Sequence, residues 1–229
     1  MKILVTGGSG LLGKALQNID TDHELVFSNS KACDLTNFIF TYRYIEKVKP
    51  DIIIHCAACV GGLFKNIECN IEMLERNLLI NHNVLHIAHK LNINRVISCL
   101  STCVFPNEIT YPIDETMIHC GPPHNSNEGY SYAKRILEIQ SRLYSNQYKR
   151  KYTCVIPTNL YGPDDNFNIQ NGHVIPSLIH KCYIAKNENK VFKIKGSGKP
   201  LRQFIYSDDI AKIIMRIIDK NVDHQNIII

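Results

Sequence analysis

The chain has 229 residues, 45% of them hydrophobic and 21% charged, with a formal net charge of +5. A chain of that length buries roughly 70% of its unfolded surface, so it needs neither a disulfide framework nor a structural metal to fold. Lys and Arg are scattered, the longest basic run being Lys149-Arg150-Lys151, which reads as a solvated helix end and not as a nucleic-acid stripe.

No signal peptide precedes the first apolar run, and no segment approaches the roughly 20 apolar residues of a membrane span. Nine cysteines are an odd number without scaffold spacing, which points to reduced thiols and a cytoplasmic location. Cys56 and Cys59 form a lone C-x-x-C with no second pair, so no metal site is expected there.

The chain opens on Ile3-Leu4-Val5, a buried-strand pattern that runs into Gly7, Gly10 and Gly13. Leu11, Leu12, Ala15, Leu16 and Ile19 then repeat at helical spacing. Strand, glycine turn and amphipathic helix together make a dinucleotide loop. Gly7 permits the tight turn, Gly10 lets a pyrophosphate approach the backbone, and Gly13 lets the helix pack on the strand. Free N–H groups and the positive helix end then face the phosphates, with Leu11 and Leu12 lining the same loop.

Strands are expected over 2–6, 24–27, 51–55, 95–100 and 152–156, and helices over 10–18, 36–47, 67–91 and 130–148. Alternation of apolar strands with helices predicts an α/β fold with a doubly wound parallel sheet, Rossmann-like, covered on both faces. Ligands in such sheets bind beyond the strand C-terminal ends. The division expected is 1–160 for NADP binding and 161–229 for a partial substrate lobe interleaved with it.

After the second strand comes Ser28-Asn29-Ser30-Lys31, with no acid to take a ribose 2′-hydroxyl. Small polar residues and Lys31 suit a 2′-phosphate, which favours NADPH. Asp34 is the competing signal, read as the N-cap of the next helix or as a contact to the adenine edge. His82, His86 and His89 share one face of the long helix and read as a polar surface, with no metal partner beside them.

The fourth strand runs into Ser101-Thr102-Cys103, and Tyr130-Ser131-Tyr132-Ala133-Lys134 opens a helix. Tyr130 and Lys134 are four apart on one face, where an ammonium is expected to lower the phenol pKa. Cys103 reads equally well as a small core residue.

These residues resemble the extended short-chain dehydrogenase/reductase family. The likeness is sharpest with its branch of 3,5-epimerase-4-reductases acting on GDP-4-keto-6-deoxy-mannose. It is carried by Val60-Gly61-Gly62-Leu63-Phe64, Ser101-Thr102-Cys103-Val104-Phe105-Pro106, Gly121-Pro122-Pro123-His124, Tyr130 to Lys134, Asn159-Leu160-Tyr161-Gly162-Pro163 and Gly172-His173-Val174-Ile175-Pro176. The resemblance implies Cys103 as base and His173 as acid at C3 and C5, with Tyr130, Lys134 and Ser101 serving C4 reduction by NADPH. It also implies that Asn159, His173, Lys181 and Arg202 hold the GDP-sugar, and that two long helices, over 67–91 and 130–148, form a homodimer. Members of the branch continue beyond the position matching Ile229, so part of the wall around the GDP moiety is expected to lie outside this sequence.

Two other readings stay open at this stage. One is another nucleotide-sugar epimerase or dehydratase on the same fold, although dehydratases generally carry Asp-Glu where this chain has Cys103-Val104. The other is an NADPH-binding protein without turnover.

Overall fold

The computed structural model describes residues 1–194, 196–199 and 201–229. Six parallel strands form one sheet in the order β2-β1-β3-β4-β5-β8. They are β1 (Lys2–Thr6), β2 (Glu24–Phe27), β3 (Ile52–His55), β4 (Arg95–Cys99), β5 (Lys151–Ile156) and β8 (Asn226–Ile228). The helices between them are α1 (Leu11–Gln17), α2 (Phe38–Val48), α3 (Leu63–Glu68), α4 (Asn70–Lys90), α5 (Glu128–Tyr148) and α7 (Ser207–Asp219). A second, two-stranded parallel sheet pairs β6 (Asn159–Tyr161) with β7 (Phe204–Tyr206), and α6 (Val174–Asn187) lies between these in the chain.

Strand pleating splits the apolar residues between two cores. Leu4, Ile53, Val96, Tyr152 and Cys154 face one side with Ile45, Val84, Leu85 and Leu137 of α2, α4 and α5. Ile3, Val5, Ile54, Ile97 and Val155 face the other side, with Leu12 and Leu16 of α1 and Ile210, Ile214 and Ile218 of α7. Such two-sided burial is why the strands are continuously apolar and not alternating. The order reverses between β1 and β3, and the glycine turn leaves the sheet at that switch point.

Two boundaries depart from expectation. Helix α2 starts at Phe38, capped by Asn37, whose side chain accepts from the Phe40 N–H; Asp34 is not its N-cap. Asp34 instead closes a turn by accepting from the Thr36 N–H and hydroxyl at 3.0 and 2.7 Å. The single helix expected over 67–91 is two helices, broken at Cys69 (φ −117°, ψ 36°). After 161 the chain returns to the main sheet with α7 and with β8, which pairs with β5.

Candidate active site

At the glycine turn, Gly7 has φ +73°, and a Cβ there would stand 2.8 Å from the Ala57 backbone. A Cβ on Gly13 would lie 2.4 Å from the Gly7 carbonyl, so the third glycine lets α1 sit directly on the turn. Gly10 meets nothing closer than 3.4 Å, which leaves its open side free for a ligand. Not every amide is free: the Gly8 N–H donates to Ser28 O at 2.7 Å and the Gly10 N–H to Gly7 O at 3.0 Å. The N–H groups of Leu11 and Leu12 meet no backbone acceptor among the described residues. At the end of β2, the Asn29 side chain folds a turn by accepting from the N–H of Lys31 and of Ala32, each at 3.0 Å, and Lys31 is exposed beside it.

Ser101, Cys103, Tyr130 and Lys134 come together where β4 ends and α5 begins. Ser101 caps the short 3-10 turn Thr102–Val104, its hydroxyl 3.5 Å from the Cys103 amide nitrogen. Lys134 is 2% exposed and donates to the Cys99 carbonyl at 2.6 Å, with its Nζ 5.7 Å from the Tyr130 ring centroid. Burial pushes the Lys134 ammonium below the usual lysine range, against the neighbouring thiols that favour its charge. Burial likewise pushes the Cys103 thiol up, opposed by the hydroxyls of Ser131 and Ser101 and by Lys134.

The expected lowering of the Tyr130 phenol is not found. Its pKa is driven well up by burial, and next by the thiols Cys103, Cys99 and Cys59. Desolvation wins because the Lys134 ammonium is spent on a carbonyl and lies over the ring face. A phenol held neutral this way is a proton donor in waiting.

Two features of this region escaped sequence reasoning. Thr6 Oγ1 lies 2.8 Å from His55 Nδ1, and His55 Nε2 lies 3.0 Å from Asn81 Oδ1, a buried chain beneath the strand ends. Burial, with Lys134 nearby, pushes the His55 pKa down to about 3, so the ring is neutral and bridges a hydroxyl and an amide. A histidine closing an apolar strand was the available signal. The second is a latch: Asn70 Oδ1 accepts from the Gly129 N–H at 2.6 Å, one residue before Tyr130. Its partners are 59 residues apart, and nothing local announces it.

His173 is carried by a different element, as the N-cap residue of α6, with 56% of its side chain exposed. Its Nδ1 lies 3.8 Å from Asp165 Oδ1, and that carboxylate raises the imidazole pKa. The loop before it touches the turn after β3, where a Cβ on Gly62 would meet the carbonyls of Asn171 and Gly172 at 3.1 and 3.2 Å. Asn159 donates to the Gln203 carbonyl at 2.9 Å and so ties β6 to the segment before β7. Lys181 is half-buried on α6, and exposed Arg202 donates to its neighbour's carbonyl. No hydrogen bond or ion pair among the described residues joins His173, Lys181 or Arg202 to the Tyr130 group.

His82 is exposed and His86 and His89 are half-buried, a polar helix face that α5 partly covers. His82 and His86 stack at 5.3 Å, and the His89 ring lies 5.0 and 4.3 Å from those of Tyr144 and Tyr148 on α5. Among the described residues no group of three His, Cys, Asp or Glu is placed to hold a metal ion.

The family described as NAD dependent epimerase/dehydratase matches residues 3–229. The chain belongs to that family. It is 54% identical over 215 residues to a GDP-L-fucose synthase of Dictyostelium discoideum, covering 92% of this chain and 67% of that protein. It is 48% identical over 229 residues to a probable GDP-L-fucose synthase of Drosophila melanogaster, covering 95% and 71%. The crystal structure of a GDP-L-fucose synthetase from Naegleria fowleri bound to NADP superposes with a TM-score of 0.92 at 43% identity, covering all of this chain and 76% of that one. The doubly wound fold read from strand–helix alternation is the fold of this family member.

Proposed function

We propose that this chain is an NADPH-dependent GDP-L-fucose synthase, which epimerises GDP-4-keto-6-deoxy-mannose at C3 and C5 and then reduces it at C4. One observation carries the reading: one sheet holds a glycine turn at its switch point and, where β4 ends, a half-buried Tyr130 against a buried Lys134 with Cys103 at its edge. The names of the relatives support the choice of sugar nucleotide.

The cradle suits a dinucleotide, since Gly10 has room on its open side and the amides of Leu11 and Leu12 point from the start of α1. Lys31, exposed at the end of β2, would meet the 2′-phosphate, with Asp34 near the adenine. When bound, the dinucleotide supplies a hydride for C4.

The ketone at C4 makes the protons on C3 and C5 acidic. Cys103, as thiolate, takes the proton from one of these carbons to give an enolate of the C4 ketone, and His173, as imidazolium, delivers a proton to the opposite face. Proton exchange with solvent restores thiolate and imidazolium before the second carbon inverts in the same way. Tyr130 then gives its proton to O4 as hydride arrives at C4, and Ser101 donates a hydrogen bond to the developing oxyanion. Lys134 lies against the phenol ring and would hold the nicotinamide ribose. Asn159, Lys181 and Arg202 would hold the GDP-sugar. We assign dinucleotide binding to residues 1–160, completed by α7 and β8, and substrate binding to the rest of 161–229.

No helix among the described residues is long and apolar enough to cross a membrane, and all nine cysteines are free, which suits a reducing cytoplasm. A homodimer through α4 and α5 fits the exposed Ile71, Leu79, Ile136 and Leu143 on their outer faces. Ile136→Glu should then halve the mass measured by sedimentation.

The deciding assay supplies GDP-4-keto-6-deoxy-mannose and NADPH in deuterated water, and follows cofactor oxidation and label at C3 and C5. Oxidation with label at both carbons is expected. Cys103→Ser should greatly reduce labelling, and Tyr130→Phe should stop oxidation while labelling persists. Cofactor binding with neither outcome would leave only a dinucleotide-binding protein.

A further inference from the structure

The loop between β6 and α6 spends its length on one carboxylate. Asp165 sits in it with a side chain only 6% exposed, although both its chain neighbours are open to solvent. Its Oδ1 accepts from the Asn166 N–H at 2.7 Å and lies 3.8 Å from His173 Nδ1. Its Oδ2 is buried without a protein partner. Burying a carboxylate is costly unless an opposite charge or several donors meet it, and here the facing cation is His173.

The loop is built to hold this geometry. Asn166 and Asn168 each turn the chain through their own side chains, accepting from the N–H groups of Asn168, and of Gln170 and Asn171. Ser177 in the first turn of α6 donates to the Asn168 carbonyl at 3.1 Å, and His180 Nδ1 lies 2.7 Å from the Phe167 carbonyl. A Cβ on Gly172 would stand 2.2 Å from the Asn166 carbonyl, so the loop would have to shift to accept one. Loop and helix start therefore move as one piece, with the carboxylate and the imidazole both mounted on it.

We propose that Asp165 is a positioning residue that orients the His173 imidazole and keeps it cationic. The inference rests on the acid role given to His173 above. The need is physical: His173 stands at the N-terminus of a 14-residue helix, whose positive end disfavours a cation. The other surrounding groups do not supply the charge. The turn after β3 meets the loop through Gly62, which is uncharged, and α6 carries His180 and Lys181 well beyond its first turn. Asp164, next along the loop, is exposed.

The reaction makes the consequence measurable. The competent state pairs a thiolate with an imidazolium, and the Cys103 thiol is pushed up by burial. At pH values between the two pKa values that state is a constant minor fraction, which shrinks tenfold for each unit the imidazole falls.

The test uses the full chain with labelled histidine, His173→Gln to assign the resonance, and the variants Asp165→Asn and Asp165→Glu. In the native chain His173 should titrate above the ordinary histidine value of about 6.5. Asp165→Asn should move it clearly lower and cut deuterium incorporation at C3 and C5 by about tenfold, and Asp165→Glu should restore both. NADPH binding and the melting temperature should be unchanged in both variants. A native His173 that titrates at or below the ordinary value, or one that the Asn variant does not move, overturns the inference. Because the titration is read without turnover, a native chain that fails to exchange deuterium defeats the proposed reaction alone.

Discussion

The Tyr130 group and the His173 group are held by different means. Tyr130, Lys134 and Cys103 grow from the end of a central strand and the first turns of a 21-residue helix, with Lys134 almost fully buried and Ala133 and Leu137 packed in the core. His173 is mounted on a loop of short polar turns, more than half exposed, and the nearby Val174 and Ile179 face outward. The proposed hydride chemistry, which needs a fixed distance, falls to the group on the sheet. His173, to which the proposed reaction gives the far face of the sugar ring, sits on the piece with fewer buried contacts, where local opening costs less.

Two glycines with equally tight surroundings test that contrast most sharply. A Cβ on Gly129 would lie 2.1 Å from the Asn70 carbonyl, and one on Gly172 would lie 2.2 Å from the Asn166 carbonyl. Gly129→Ala should push α5 from α4, lower the melting temperature by about 5 °C or more, and cut C4 reduction at least roughly 100-fold. Gly172→Ala should lower C3 and C5 exchange about tenfold while barely moving the melting temperature, because the loop can yield. Equal melting losses in the two variants would erase the distinction.

A smaller effect concerns acid stability on the rigid side. Glu138 is buried; burial alone would raise its pKa, but hydrogen bonds from His119, Asn226 and Arg142 outweigh this and lower it. A depressed carboxylate adds stability that is present above its unfolded value of about 4.3 and is lost as pH falls through the folded value. Thermal melting between neutral pH and pH 3 should therefore fall on the acid side, and Glu138→Gln should flatten that limb. The smallest change is expected at the cofactor rim: Lys31→Ala should weaken NADPH by up to about fivefold and leave NADH unchanged, as for an exposed ion pair. Equal losses for both cofactors would remove Lys31 from the 2′-phosphate.

Legibility in the sequence followed distance along the chain. The glycine turn and the Tyr130–Lys134 pair were readable because their partners lie within one turn, and the parallel sheet because its strands are apolar without interruption. The break at Cys69 was hidden, since apolar spacing carries across it and no proline or glycine marks it. The cap at Asn37 was misplaced on Asp34 because both residue types cap helices and only the backbone separates them. The pairings of Thr6 with His55 and of Asn70 with Gly129 span 49 and 59 residues and leave no periodic trace. The raised phenol of Tyr130 went unforeseen because a four-residue spacing says nothing of how dry the site is.

Helix α7 has a consequence for how the protein is made. One side of the sheet is clothed by α1 and α7, and α7 does not leave the ribosome until some fifty residues after β6 has been synthesised. Until then Ile54, Ile97 and Val155 stand largely bare, so the nascent chain must carry a sticky half-dressed surface through the whole translation of the intervening lobe. Folding of the nucleotide half is in that sense timed by the arrival of Ser207–Asp219, well after the strands it covers.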